Sequence, residues 1–207
     1  MKLSITMIAL ATLVLVAAAS GKKPNPTKSS ADYFPLRVGD SWTYRNTEEG
    51  GYTLKVVSEE PQEGAPARFV VELSSEVKIL HTFSKKDGWV LLHFERYPEH
   101  EGLEAKYEPP KQYLPNPMTA GQKWEWSGAD PTQARFTEKS TVAGIEEVTV
   151  PAGKFRAMKI ITVVSGGSVP KTQTLWYADG VGLVKSTTEG GQIKYGSVLT
   201  DYSFKKK

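Results

Sequence analysis

The chain has 207 residues, no cysteine, a formal net charge of +3 and a pI near 8.9. The lack of cysteine excludes disulfides, thiol catalysis, cysteine-ligated zinc and iron–sulfur clusters, so the fold must rely on packing alone. The basic pI does not indicate a nucleic-acid partner, because seven of the 26 basic residues lie near the two termini. These seven are Lys2, Lys22, Lys23, Lys28 and Lys205–Lys207, and they leave 19 basic residues against 23 acidic ones between Ala31 and Phe204.

Residues 1–20 have the features of a secretory signal peptide. Lys2 precedes a mostly apolar run from Leu3 to Val16, and Ala17–Ala19 supply the small residues that signal peptidase requires. We expect cleavage after Ala19 or after Ser20. An uncleaved anchor is the alternative, but the apolar run is short for a bilayer span. The sequence therefore predicts an exported protein with no transmembrane segment in its mature chain, located in the periplasm or, alternatively, outside the cell.

Three further segments follow the signal peptide. Residues 21–31 (GKKPNPTKSSA) contain no large apolar residue and two prolines, which is typical of a flexible basic linker. Residues 32–204 have a uniform texture with no repeat of fixed period, which predicts a single domain. Residues 205–207 form a basic tail.

Alternating apolar and polar residues predict strands along most of the domain. Helical periodicity is nowhere sustained, and turn residues separate the segments at the spacing of a β-sandwich or barrel. We expect one or two of the segments to merge or fail, and an antiparallel all-β meander that forms a closed or half-open barrel of about 10 to 12 strands. The predicted segments are Ser41–Asn46, Tyr52–Glu59, Arg68–Ser74, Val77–Ser84, Trp89–Arg96, Lys123–Ser127, Gln133–Ile145, Glu147–Val150, Phe155–Val164, Thr172–Ala178, Val181–Thr187 and Ile193–Phe204.

Two Asp-Gly pairs predict hairpins. Asp179-Gly180 lies between two alternating segments, and a type I′ turn there would need positive φ at both residues. Asp87-Gly88 predicts a second hairpin, in which His81 would pair with Phe94. His81 and His93 would then face opposite sides of the sheet, which argues against a shared zinc ion.

The segment Tyr97–Met118 interrupts the pattern with five prolines in 22 residues. Because proline lacks the amide donor of a β-ladder, this segment cannot form an interior strand. A loop of this length is either a binding element or lid, or a strap across the mouth of a barrel.

Three motifs resemble those of a broad group of uncharacterised exported bacterial all-β proteins. They are YFPLRVGDSWTY (Tyr33–Tyr44), VTVPAGKFRAMKI (Val148–Ile160) and TLWYADGVGLVKS (Thr174–Ser186). The resemblance implies a barrel-like domain similar in shape to the periplasmic lipoprotein-carrier (LolA-like) fold, and it implies no catalytic residue. Gly39 with Asp40 and Pro151 with Gly153 have structural explanations as turns into strands.

No pattern in the sequence indicates an enzyme. There is no nucleophile elbow, phosphate-binding loop or dinucleotide fingerprint, and we expect no catalytic residue, metal or cofactor. The acidic residues of Tyr97–Met118 could supply a carboxylate pair for glycosidic chemistry, but solvated surface charge explains them better.

Aromatic residues are the remaining functional signal. Trp124 and Trp126 share one face of a short strand, and other aromatic residues lie near them in sequence. Such rings could bind an apolar ligand or stack on sugars, although filling of the barrel core explains Trp124 and Trp126 better. The candidate ligand-binding residues are Trp89, Tyr97, Tyr107, Tyr113, Trp124 and Trp126.

The sequence leaves three functions open. The first is a non-enzymatic barrel whose concave side binds an apolar small molecule or a lipid-modified protein. The second is an accessory module that docks another cell-envelope protein, and the third is a carbohydrate-binding domain. A lined cavity of a few hundred Å³ would favour the first, an exposed apolar patch the second, and coplanar exposed rings of Trp124 and Trp126 the third.

Overall fold

The computed structural model describes residues 31–166 and 170–205. The predicted signal peptide and linker residues 21–30 lie outside this part of the chain, as do the last two residues of the basic tail. In the described part, no helix is long and apolar enough to cross a membrane.

The described residues form one antiparallel sheet of twelve strands, each hydrogen-bonded to the strands that precede and follow it in sequence, except at one place. The strands are β1 (Ser41–Asn46), β2 (Gly51–Gln62), β3 (Ala65–Ser74), β4 (Lys78–Lys86), β5 (Trp89–Arg96), β6 (Glu104–Pro115), β7 (Lys123–Ala129), β8 (Arg135–Val150), β9 (Gly153–Gly166), β10 (Lys171–Ala178), β11 (Gly182–Gly190) and β12 (Ile193–Ser203). The first and last strands, β1 and β12, pair with each other in the middle of the strand order and not at an edge of the sheet.

The exception lies between β6 and β7, which are the two edges of the sheet. The rings of Tyr107 on β6 and Trp126 on β7 approach to 5.6 Å between centroids, so the edges come together without forming a ladder. The sheet is therefore a nearly closed barrel with one unsealed seam, as the alternation in the sequence predicts. Apolar residues at every second position allow one face of each strand to be buried. Curling the sheet brings those faces together in the interior of the barrel.

The predicted strands need two corrections. Gln133–Ile145 and Glu147–Val150 are one long strand, β8, because its pairing with β9 continues through a bulge between Val142 and Gly144. The proline-rich segment is not a loop throughout, because its residues 104–115 form β6.

The position of β6 explains how a proline-rich segment can be a strand. It pairs with β5 alone, and its other edge faces the seam, where no ladder donor is needed. Pro109 and Pro110 lie in the middle of the strand, beside an interruption in its register with β5. The prediction that the segment forms no interior strand is correct, and the prediction of a loop is wrong for β6.

The two Asp-Gly hairpins are both present, with different turns. Asp87 and Gly88 both have positive φ, at 50° and 78°, as a type I′ turn requires. At the other Asp-Gly pair Gly180 has positive φ, at 70°, but Asp179 does not, and the amide of Val181 donates to the carbonyl of Ala178. The predicted type I′ geometry is therefore wrong at Asp179-Gly180, although the hairpin itself forms.

The inward faces of the strands form one continuous core. Trp42 and Tyr44 of β1 are buried there, and the ring of Tyr44 stacks on Tyr52 of β2 at 4.7 Å. Burying an apolar side chain of this kind contributes about 1.5–3 kcal/mol. The fully buried side chains include Val56, Val90, Leu114, Val142, Ile160, Tyr177, Val184 and Leu199.

Residues 31–40, which we call the plug segment, cross one end of the barrel. The ring of Phe34 packs edge-on against Phe83 of β4 at 4.9 Å and against Tyr113 of β6 at 5.7 Å. Asp32 accepts hydrogen bonds from Lys85 at 2.7 Å and from Asn116 at 2.8 Å. Burial acts to raise the pKa of Asp32, but these bonds outweigh it and lower the pKa.

Asp40 joins the plug segment to the end of β12. Its side chain has no solvent exposure, and it accepts hydrogen bonds from Arg37 Nε and from the backbone amide of Lys205, both at 3.1 Å. Gly39, with a φ of 93°, makes the turn that directs the chain into β1. The first residue of the predicted basic tail is therefore anchored to the barrel.

We expect Asp40→Ala to lower the free energy of unfolding by about 2 kcal/mol, because a part-buried backbone amide and a guanidinium lose their acceptor, which is itself fully buried. Asp40→Asn should cost less, since an amide oxygen can still accept from Lys205. Urea denaturation measures both, with Asp201→Ala on the exposed side of β12 as the matched control. A loss at Asp40→Ala no larger than at Asp201→Ala would contradict this role.

Candidate functional site: the barrel interior and its mouth

The barrel encloses a cavity of about 250 Å³, which we call the inner cavity. The plug segment closes one end of it through Phe34, Pro35 and Leu36. Most of the wall is apolar or aromatic, with few polar groups. The wall residues from the strands are Trp42, Tyr44, Tyr52, Leu54, Val71, Leu73, His81, Phe83, Leu92, Glu95, Lys111, Tyr113, Tyr177, Gly182 and Leu183.

A second and more polar pocket of about 530 Å³, the mouth pocket, lies at the opposite end from the plug segment. Asp130 and Thr132 from the β7–β8 loop line it, together with Lys171 at the start of β10. Glu95 and Lys111 line both the mouth pocket and the inner cavity. These two side chains therefore mark the boundary between an apolar interior and a polar entrance.

A bulge in β5 places Glu95 in this position. The register between β4 and β5 shifts between Thr82 and Phe83, so that His81 pairs with Glu95. The predicted pairing of His81 with Phe94 is therefore wrong by one residue. The shift turns Glu95 inward and Phe94 outward, where Arg68 lies over the Phe94 ring at 5.8 Å.

The two histidines of β4 and β5 lie in different surroundings. His81 lines the inner cavity, and burial lowers its pKa, with Lys111 lowering it further and Glu95 opposing the change. His93 exchanges a hydrogen bond of 2.8 Å with Ser84, whose neighbour Phe83 lines the cavity. Among the described residues, no three His, Asp or Glu side chains are grouped as a metal site would need.

Lys111 connects the two sides of the seam. Its ammonium binds Glu138 of β8 at 2.9 Å and 2.8 Å to the two carboxylate oxygens. The same ammonium lies 4.4 Å from the ring centroid of Trp126 on β7. An ion pair and a cation–π contact thus hold together strand edges that share no ladder.

The six aromatic residues predicted as a site fall into four places. Tyr113 lines the inner cavity and hydrogen-bonds Tyr177. Tyr107 and Trp126 face each other across the seam, where they line an outer groove of about 550 Å³. Tyr97 donates a hydrogen bond to Glu95 at 3.0 Å.

The remaining two, Trp89 and Trp124, contact each other edge-on with centroids 5.9 Å apart. Trp124 and Trp126 are both half-buried, and each packs against another ring at a steep angle, so they do not form the coplanar exposed platform expected of a sugar binder.

Sequence reasoning missed the charged residues of the boundary. Glu95 was hidden by the bulge, and Lys111 and Glu138 gave no signal because their pairing depends on the closure of the seam. The Lys111 side chain is only 8% exposed, and such deep burial is unusual for a lysine. It is the clearest structural sign of the site.

Comparisons with known proteins identify relatives of this architecture. A family model described as DUF3108-like matches residues 96–194, which is just under half of the chain. No curated protein matches the chain.

Three solved structures are similar. The first is an inferred exported protein with a YmcC-like fold from Bacteroides fragilis, with 15% identity, a TM-score of 0.56, and coverage of 84% of this chain and 100% of that one. The second is an inferred lipoprotein from Parabacteroides distasonis, with 14% identity, a TM-score of 0.55, and coverage of 85% and 100%. The third, the hypothetical lipoprotein YmcC of Escherichia coli, has 12% identity, a TM-score of 0.36, and coverage of 82% and 86%. The first two structures show that the fold is shared. The predicted resemblance to exported proteins of uncharacterised function is therefore confirmed for the fold.

Proposed function

We propose that this chain is an exported periplasmic binding protein that holds the apolar part of a small amphiphile in its barrel. One observation carries the proposal: an apolar inner cavity of about 250 Å³ shares its boundary residues, Glu95 and Lys111, with a polar pocket at the mouth. A ligand with an apolar body and a polar end would match this division of the wall. The apolar part could belong to a free lipid-like molecule or to the acyl chain of a lipid-modified protein.

The proposal is one of binding without catalysis, and no residue is assigned a catalytic role. The docking alternative has less support, because the exposed large apolar side chains are spread over the plug segment and four strands. They are Val38, Val57, Ile145, Val163, Tyr195 and Tyr202. The half-buried, edge-packed rings of Trp124 and Trp126 likewise support a carbohydrate platform poorly.

A matched pair of substitutions on β3 tests the proposal. Val71 lines the inner cavity, whereas its neighbour Val70 lies on the outer face. We expect Val71→Phe to reduce the affinity for n-octanol at least tenfold, because the added ring occupies the cavity. Val70→Phe should leave the affinity within twofold of the original. NMR titration measures the affinity, and melting temperatures show that both variants fold.

Native mass spectrometry of protein purified from its own host tests which natural ligand is bound. A co-purified lipid supports the proposal, while a co-purified protein without an acyl chain supports the docking module. Equal loss of octanol affinity in the two variants, or octanol shifts confined to the outer face, would refute binding in the inner cavity.

A further inference from the structure

Glu95 holds an unusual position for a carboxylate, since it faces the place where the inner cavity meets the mouth pocket. One of its oxygens accepts from the hydroxyl of Tyr97 at 3.0 Å and the other from the hydroxyl of Tyr107 at 3.3 Å. A carboxylate offers about four acceptor positions, so the two phenols leave part of its capacity unused.

No cation neutralises this carboxylate at close range. In residues 31–166 and 170–205, no lysine, arginine or histidine forms an ion pair with Glu95. Lys111, which lines the same boundary, is engaged by both oxygens of Glu138. His81, which pairs with Glu95 across the strands, is buried and has a lowered pKa, so it is neutral at pH 7.

The surroundings of the two phenols agree with an excess of negative charge. Burial, the charge of Glu95 and the hydrogen bond to it raise the pKa of Tyr97 to about 12, with a further contribution from Asp130. The pKa of Tyr107 is also raised, by burial and then by Glu95, Glu138 and Asp130. Lys171 is a mouth-pocket cation, but it lies at the start of β10 and does not pair with Glu95.

We propose that Glu95 binds the polar end of the ligand, and that this end is a hydrogen-bond donor carrying positive charge, such as a primary amine. This inference rests on the proposed function, because it assigns the head group of a ligand whose apolar part lies in the inner cavity. An ammonium would use the free acceptor positions of Glu95 and balance its charge. A carboxylate or phosphate at the same place would be desolvated beside Glu95 and Glu138 and repelled by both.

The size of the inner cavity sets the length of the apolar part. A water-sized group occupies roughly 30 Å³, so 250 Å³ accommodates about eight non-hydrogen atoms. An alkyl chain of about eight carbons is therefore a suitable probe, and its amine, alcohol and carboxylate differ only at the head.

The experiment measures the affinity of the protein for n-octylamine, n-octanol and n-octanoate at pH 7 by NMR titration. We expect octylamine to bind at least tenfold more tightly than octanoate, with octanol between them. Glu95→Gln should lower the octylamine affinity at least fivefold and leave the octanol affinity within twofold, because the amide oxygen still accepts from one phenol and the amide nitrogen can donate to the other. Glu99→Gln, which removes the same charge from the exposed β5–β6 loop, is the matched control and should change neither affinity.

Each result has a defined meaning. Octanoate binding as tightly as octylamine, or an unchanged preference in Glu95→Gln, would overturn the head-group assignment while leaving the proposed function standing. Failure of all three probes to bind would overturn both. The ratio of octylamine to octanoate affinity in the unmodified protein decides the question even where Glu95→Gln does not fold.

Discussion

Replacing Lys111 with methionine is expected to lower the free energy of unfolding by about 3 kcal/mol, because it leaves Glu138 without its cation in a mostly buried position. The loss also removes the cation–π contact with Trp126 at the seam. Urea denaturation measures the stability. Hydrogen exchange should show faster opening of the amides of β6 and β7, since the ion pair replaces a missing ladder there.

The same strand provides a control for this prediction. Lys106 pairs with Glu108 at 2.6 Å on the surface of β6, and both side chains are more than half exposed. Because exposed pairs contribute little, Lys106→Met should change stability by less than about 0.5 kcal/mol. The double substitution Lys111→Met with Glu138→Leu should recover most of the lost stability. A Lys111→Met variant as stable as Lys106→Met would show that the seam does not depend on this pair.

Replacing Tyr177 with alanine is expected to lower the free energy of unfolding by about 4 kcal/mol. The side chain is fully buried, lines the inner cavity and hydrogen-bonds Tyr113 across the barrel. Its removal leaves a void that the surrounding β-sheet cannot close, and it leaves the phenol of Tyr113 without its partner.

Two further variants separate packing from hydrogen bonding. Tyr177→Phe keeps the ring and loses only the hydroxyl, so it should cost about 1 kcal/mol. Tyr195→Ala truncates an aromatic side chain that is 48% exposed on β12, and it should have little effect. Thermal and urea unfolding measure the stability of each variant. Equal losses of stability for Tyr177→Ala and Tyr177→Phe would contradict the prediction, because the ring would then contribute nothing to packing.

The predicted aromatic site shows what side-chain type and position in sequence can predict without a structure. The aromatic prediction includes Tyr107, Tyr113 and Trp126 because they lie close in sequence, and in the structure they lie at the inner cavity and the seam. Trp89 and Trp124 contact each other and line neither the inner cavity nor the mouth pocket. Proximity in sequence grouped these three residues because β6 and β7 are consecutive and form the two edges of the sheet.

The charged boundary was beyond prediction for a specific physical reason. Strict alternation along β5 keeps Leu92 and Phe94 on one face, and a single bulge moves Glu95 to that face instead. Neither strand carries a glycine or proline at the bulge that would signal it. The pairing of Lys111 with Glu138 joins residues that approach only when the sheet curls.

Alternating hydrophobicity and turn residues were enough to determine the all-β class, the antiparallel meander and the approximate number of strands, because these depend on contacts between neighbours in sequence. The tertiary structure alone decided where the barrel stays unsealed, that a proline-rich segment serves as an edge strand, and which charged groups face the interior. Those features depend on the meeting of distant strands and on one-residue shifts in register, and a local pattern carries no information about either.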